Sequence, residues 1–225
     1  SDDGSSVANA FATLQAGIDA IGSAGDLVYV APGTYRERIT FSSAVNGGAN
    51  DHIKVIGDPD CEIFTGETKG VIRVTGLNDD DITTDDSNGN GTIYVNKQWI
   101  ELHNLHVDGG GHTFQSALST QTNAYGIRAQ YDGRANAYNC IVQMTQYGIY
   151  RCNTFNCITF VGYYGIYQGL KHVHSIAMGG YAGFAFGDCY VDCIGIGANV
   201  AGFWNCDKII NCAAMFCGTG IRTNT

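Results

Sequence analysis

Asn156-Cys157-Ile158-Thr159-Phe160-Val161-Gly162-Tyr163-Tyr164-Gly165-Ile166-Tyr167 is one instance of a phrase that this chain repeats. Its Gly-Ile pair recurs, as Gly-Ile or Gly-Phe, at Gly126-Ile127, Gly148-Ile149, Gly165-Ile166, Gly183-Phe184, Gly202-Phe203 and Gly220-Ile221, in steps of 22, 17, 18, 19 and 18 residues. A second mark keeps pace at Asn139-Cys140, Asn156-Cys157, His174-Ser175, Asp192-Cys193 and Asn211-Cys212, in steps of 17, 18, 18 and 19. Two marks drifting together at one period mean one structural unit stacked on copies of itself. Helical repeats need about 33 residues or more, so the period here is too short for them. It suits one turn of a parallel β-solenoid. Between the marks lie short runs of Ile, Val, Phe and Tyr punctuated by Gly, Asn and Asp. Neither of the two prolines falls inside the repeats, where a missing donor would break a strand paired on both sides.

Composition bounds the function classes. The chain has 225 residues, is 44% apolar and carries 31 glycines, enough for one sizeable solenoid core. A formal net charge of −9 argues against a nucleic-acid partner, which wants a basic stripe. No apolar run approaches the ~18 residues of a membrane-spanning helix. No signal peptide is visible, although the chain opens without Met, as a processed one would. The nine cysteines stand in repeat columns rather than in metal-type clusters. Stacked coils put them ~4.8 Å apart, whereas a disulfide wants Cβ atoms near ~3.8 Å. Most therefore read as small, buried, reduced side chains, which favours assembly in a reducing compartment. Cys140–Cys157 and Cys193–Cys212 remain open as disulfides.

Ahead of the repeats, Ala8 to Ala24 carries Phe11, Leu14, Ile18 and Ile21 on one helical stripe, with Ser5 or Ser6 as N-cap. Such a helix covers the exposed first coil of a solenoid. Gly25-Asp26-Leu27-Val28-Tyr29-Val30-Ala31-Pro32-Gly33-Thr34-Tyr35-Arg36-Glu37 follows. That order resembles the opening of right-handed parallel β-helices of the pectate-lyase-like superfamily. The resemblance runs on through Ile53-Lys54-Val55-Ile56-Gly57 and Trp99 to Gly109 into the later repeats, nearly the whole chain. It implies an all-β, right-handed, single-stranded parallel β-helix with an N-terminal capping helix. Residues 1–24 form the arm and cap, and 25–225 the β-helix, with loop excursions near 76–91 and 109–124. The superfamily holds polysaccharide lyases, glycoside hydrolases, bacteriophage tail spikes and inert virion proteins, so it implies fold more than function.

The first excursion is acidic and glycine-bearing. Within it Asp86-x-Asn88-x-Asn90-Gly91 matches the first half of a calcium loop, with oxygen ligands at alternate positions and Gly for the sharp turn. Lys97 stands where the bidentate Glu belongs, and a solvated turn is the plain reading beside the Ca²⁺ site. In the regular coils, Phe155 with Ile158 and Phe160, Val173 with Ile176 and Met178, Val191 with Ile194 and Ile196, and Ile210 with Ala213 and Met215 read as core columns. The Asn/His/Asp mark reads as a tight corner, which leaves the direction of the Cys column open.

The residue after each Gly-Ile or Gly-Phe pair then points outward: Arg128, Tyr150, Tyr167, Ala185, Trp204, Arg222. Aromatic faces stack on sugar rings and Arg grips carboxylates, which makes this strip a carbohydrate-binding candidate. The same residues are enriched in subunit contacts, and that reading stands beside it. For catalysis the residues offer less. Lys171, His172 and His174 are the nearest approach to a basic cluster in the regular coils. Glu101, Asp108 and Asp132 are the acids a hydrolase would pair, and His103, His106 and Asp108 read as a surface polar row. The calcium-binding Asn…Glu-x-Glu set of the alginate-lyase-like branch and the paired Asp motifs of the polygalacturonase-like branch are not found. The chain stops at Thr225 part-way into a coil, which reads as more chain or a partner covering that end. The expectation is a non-enzymatic structural or adhesion module of a larger assembly. It would be virion or tail-spike-like, homo-oligomeric, assembled in a reducing cytoplasm and open to a surface glycan. The alternative is a polysaccharide lyase or glycoside hydrolase acting on an acidic polysaccharide, secreted rather than virion-borne.

Overall fold

The computed structural model describes residues 4, 6–42, 44–75, 91–109 and 125–222. Every strand pairing among them is parallel, and the strands stack into three faces of one parallel β-helix. The first face runs Leu27–Val30, Ile53–Gly57, Ile100–His103, Ala135–Tyr138, Asn153–Phe155, His172–Val173, Cys189–Val191 and Lys208–Ile210. The second opens with Gly33–Arg36, Ile72–Thr75 and His106–Asp108 and closes with Ile176–Met178, Ile194–Ile196 and Ala213–Met215. The third carries Ile39–Thr40, Gly91–Val95, Tyr125–Ala129, Ala182–Ala185, Ala201–Trp204 and Thr219–Arg222. Two ten-residue strands, Ile141–Tyr150 and Ile158–Tyr167, run without a break through both the second and the third face. Ile127, Ile149, Ile166, Phe184, Phe203 and Ile221 fall in one register. All but the last are buried, at 1% exposure or less.

Ahead of all of these residues but the last, Ile221, the glycine is there for space. A Cβ on Gly126 would collide with the Val142 side chain. One on Gly148 would lie 2.9 Å from Thr159 Cγ2, one on Gly165 2.6 Å from Ala177 Cβ, and one on Gly202 2.5 Å from Ala214 Cβ. The second and third faces press together so closely that their facing columns hold Gly against Val, Thr or Ala.

The corner column behaves differently. Asn104, Asn139, Asn156, His174, Asp192 and Asn211 all have φ between 50° and 58°. Asn and Asp tolerate this left-handed region because their short polar side chains hydrogen-bond locally. Here they also ladder. Asn139 Nδ2 donates to Asn104 Oδ1 at 3.2 Å, Asn156 Nδ2 to Asn139 Oδ1 at 3.3 Å, and Asn211 Nδ2 to Asp192 Oδ1. His174 occupies the column as a corner residue, its Nε2 3.1 Å from Asp192 Oδ2.

Two expectations need correction. The columns read as core point outward: Phe160, Ile210 and Met215 are 39%, 40% and 41% exposed, and Ile158, Ile176 and Ile194 are half-buried. The left-handed corner residue resets the alternation, so the Cys column points in. Cys140, Cys157 and Cys193 are fully buried beside Thr154, Thr159, Ser175 and Ala177. At this corner the inward positions hold Cys, Ser, Thr and Ala, while Phe155, Ile158 and Phe160 stand outside against their neighbours; the large buried rings, Phe184, Phe203 and Tyr190, come from other columns. All nine cysteines are free thiols. The cap is also shorter than the stripe implies. A 3₁₀ turn at Val7–Asn9 precedes a helix at Leu14–Asp19, capped by Thr13, whose side chain accepts from the Ala16 amide. Leu14, Ile18 and Ile21 nonetheless bury into the first coil. Residues 76–90 and 110–124 of the loop excursions, and with them Asp86, Asn88 and Asn90, lie outside the described residues.

Candidate functional site: an aromatic–arginine wall and the corner beside it

The strip after the Gly-Ile pairs forms one column. Arg128 pairs with Tyr150, Tyr150 with Tyr167, Tyr167 with Ala185, Ala185 with Trp204, and Trp204 with Arg222. The column extends back to Tyr94, the register partner of Arg128. Tyr150 and Tyr167 stack at 5.3 Å and 18°. Ala185 leaves a gap that its neighbour fills: the Phe186 ring lies 5.4 Å from Tyr167 and 5.7 Å from Trp204. Tyr125 and, on the long strands, Tyr147 and Tyr164 form a second column, with Tyr125 stacked on Tyr147 at 4.7 Å. Tyr163 and Tyr181 stack at 5.1 Å and complete the wall. Its packing is edge-to-face and offset stacking, the geometry that ring quadrupoles prefer.

The column reading misses Tyr125, Tyr147 and Tyr164. Their signal is in the sequence as a Tyr-Gly-Ile phrase, three times over. Strict alternation hides it, because both Gly and Ile of the phrase turn inward and the Tyr on either side turns out. Burial pushes the Tyr125 phenol up to about 12, and it pushes Tyr147 and Tyr164 higher still. These rings are neutral hydrogen-bonding edges throughout the physiological range.

Two arginines are set into the wall. The Arg128 guanidinium lies 4.9 Å from the Tyr125 centroid, 5.7 Å from Tyr94 and 5.8 Å from Tyr150. Its Nε is buried without a hydrogen-bond partner among the described residues. Arg222 lies 5.3 Å over Trp204. Neither makes an ion pair among the described residues. Cation–π contact holds these guanidinium groups in place without neutralising them.

Beside the wall the chain turns the corner from the third face to the first. Arg151, with φ of 61°, stacks 4.9 Å over Tyr150. Its Nε lies 3.0 Å from both Asp132 Oδ1 and Gln168 Oε1. The next turn brings Arg134 4.4 Å over the Trp99 ring, already on the first face. Of the acids a hydrolase would pair, Asp132 is therefore tied to Arg151. Asp108, on the second face, accepts from Gln143 at 2.9 Å. Glu101 is on the first face, so the three acids are not brought together. His103 and His106 also part, onto the first and second faces. Lys171, His172 and His174 separate as well, with His172 fully buried and the other two exposed. Among the described residues, no group of three His, Cys, Asp or Glu is placed to hold a metal ion.

No protein-family model matches the chain, and no curated protein does. Solved structures do. The pectin methylesterase PemA from Erwinia chrysanthemi superposes with a TM-score of 0.50 at 12% identity, over 91% of this chain and 77% of that one. A pectin methylesterase from Aspergillus niger gives 0.48 at 14% identity, over 91% of this chain and 82% of that one. The PemA match corrects the expectation of a virion or tail-spike-like, non-enzymatic module: the solved structure that superposes is a pectin methylesterase. At this identity the likeness speaks to architecture, and it makes the chain a right-handed parallel β-helix.

Proposed function

We propose that the chain is a carbohydrate-active enzyme working on an acidic polysaccharide, which it holds along the aromatic–arginine wall of the third face. The observation that carries this reading is Arg128: a guanidinium caged by three tyrosine rings, with no carboxylate partner among the described residues, in a chain of net charge −9. Acidic residues outnumber basic ones, 21 to 12, yet none of the acids among the described residues pairs with this cation. A carboxylate or sulfate on a bound sugar supplies the missing charge, and the tyrosine and tryptophan faces supply the stacking surface. The fold it shares with pectin methylesterases supports the same class of substrate.

The test is affinity electrophoresis through polygalacturonate, alginate and a neutral glucan. The protein is retarded by an acidic polymer and not by the glucan. Trp204→Ala, Tyr167→Ala and Arg128→Gln each weaken that binding by about tenfold, the worth of one stacking or charged contact. Equal retardation by neutral and acidic polymers, or wall variants that bind like the parent, sinks the reading.

A further inference from the structure

The outer surface of the first face holds a second constellation that the wall does not use. Three outward columns run side by side across neighbouring coils. One is a stack of His52, Trp99 and Arg134, with His52 5.5 Å from Trp99 and the Arg134 guanidinium 4.4 Å above that ring. The middle column is polar: Lys54, Glu101, Asn136 and Asn153, in register. The third is a second ring stack, His103 on Tyr138 at 4.5 Å and 10°, and Tyr138 on Phe155 at 4.7 Å and 11°. The result is a trough with ring-lined sides and a hydrogen-bonding floor.

Glu101 lies in that floor with its side chain 11% exposed. Its Oε1 is 2.8 Å from His52 Nδ1, and its Oε2 is 3.0 Å from His103 Nε2 and 3.5 Å from Lys54 Nζ. Burial pushes this carboxyl up, but the hydrogen bonds from His103 and His52 and the charge of Lys54 outweigh it and hold it below its usual range. A carboxylate only accepts, so it fixes the tautomer of each imidazole. His103 carries its proton on Nε2 and presents the lone pair of Nδ1, which makes no hydrogen bond among the described residues and is not sealed from solvent. Burial, then the charge of Glu101, raise the Tyr138 phenol, against a smaller opposing pull from Asn136, so it keeps its proton at neutral pH.

Base, acid and positive charge thus meet on one surface. We propose that this trough is the catalytic centre of a β-elimination on uronate residues, with His103 as base, Tyr138 as acid and Glu101 as the positioning residue. The proposal rests on the reading above that the substrate is an acidic glycan. His103 Nδ1 takes the proton from the sugar carbon beside the carboxylate, and that C–H bond breaks. The electron pair forms the C4–C5 double bond, and the C4–O glycosidic bond breaks. The departing oxygen takes the Tyr138 proton. Solvent then removes the proton from His103 and returns one to Tyr138. Lys54 and Arg134 offset the charge that builds on the substrate carboxylate in between. The floor column argues against glycoside hydrolysis, which needs two carboxyl groups about 5 to 9.5 Å apart. Its only carboxylate, Glu101, is already engaged by three cationic or hydrogen-bonding partners. The corner carrying Asp132 and Arg134 connects this trough to the wall.

The experiment incubates the full chain with polygalacturonate and with alginate. It follows ultraviolet absorbance of unsaturated uronate together with new reducing ends, while gel retardation reports binding separately. The expected result is one unsaturated end per cleavage. His103→Gln and Tyr138→Phe lower kcat by about 10²-fold or more with KM and retardation unchanged; Tyr138→Phe preserves the ring stack, and circular dichroism checks that both fold. Glu101→Gln lowers kcat by about tenfold with KM unchanged, because the amide no longer fixes the His103 tautomer, and Glu101→Asp restores part of the loss. A Glu101→Gln variant with unchanged kcat overturns the positioning role. Reducing ends without unsaturation, no product from either polymer that the protein binds, or a fully active His103→Gln overturns the centre and leaves the glycan reading intact. Failure of the parent protein to bind any acidic polymer overturns the glycan reading itself.

Discussion

His172 sits in the interior with its Nδ1 3.0 Å from Thr154 Oγ1, and Ser175 donates to the same hydroxyl at 3.1 Å. Desolvation dominates there and lowers the imidazole to about 3, although hydrogen bonding at Gly169 and Gln168 pulls the other way. An unfolded histidine titrates near ~6.5. Above that pH both states are neutral and the contribution is complete. Below it the unfolded chain takes up a proton that the folded chain refuses. Stability should therefore fall by up to about 1.4 kcal/mol per pH unit as pH drops from ~6.5 toward the folded value. Urea unfolding across that window, compared with His172→Gln, measures it. The variant should lose this part of the slope while keeping whatever Glu101 contributes, and parallel slopes in the two proteins would refute the buried-neutral assignment. In sequence His172 looks like surface, next to Lys171 and two residues before His174. Only the stacking of coils, with Tyr190 4.7 Å away on the next one, turns it inward.

The corner shows why so much of the period was legible and so little of its direction. Asn139, Asn156, Asp192 and Asn211 announce a turn by residue type, and the ladder they form is what that chemistry predicts. What residue type does not carry is the half-twist such a turn introduces. With Asn156 at φ 54°, Phe155 and Ile158 end up on one side and Cys157 on the other. Counting alternate residues keeps the right companions together and puts them on the wrong surface. The trough is hidden in the sequence for a related reason. His52, Glu101, Asn136 and Tyr138 come from three coils separated by irregular insertions, where the period breaks and neighbours cannot be counted off. Asn156→Ala should cost about 1–2 kcal/mol, the penalty for a Cβ in the left-handed region, whereas Asn156→Gly costs less because it removes that strain and loses only the ladder bond. Denaturant midpoints of the two variants give the comparison, and an Ala variant as stable as the Gly variant would contradict it.

At the scale of the whole molecule, charge and site oppose each other. A protein of net charge −9 repels a polyanion at long range while its wall attracts one at contact. Association with an acidic glycan should therefore speed up, not slow down, when salt is raised from about 10 mM toward 150 mM and the screening length contracts from ~30 to ~8 Å. Stopped-flow tyrosine and tryptophan fluorescence reads this directly, and a rate that falls with salt over that range would mean local attraction governs the encounter. Dissociation should also quicken, because the Arg128 and Arg222 contacts weaken. The two unbroken strands, Ile141–Tyr150 and Ile158–Tyr167, bear on what happens after the encounter. Tyr147, Tyr150, Tyr164 and Tyr167 are mounted on them, hydrogen-bonded to each other's backbone along both faces, with no loop between the rings and the ladder that carries them. Their freedom is surrendered when the chain folds, so a ligand arriving later meets a surface already ordered. Binding there should carry a small conformational-entropy cost and a heat-capacity change no larger than the ring area it covers.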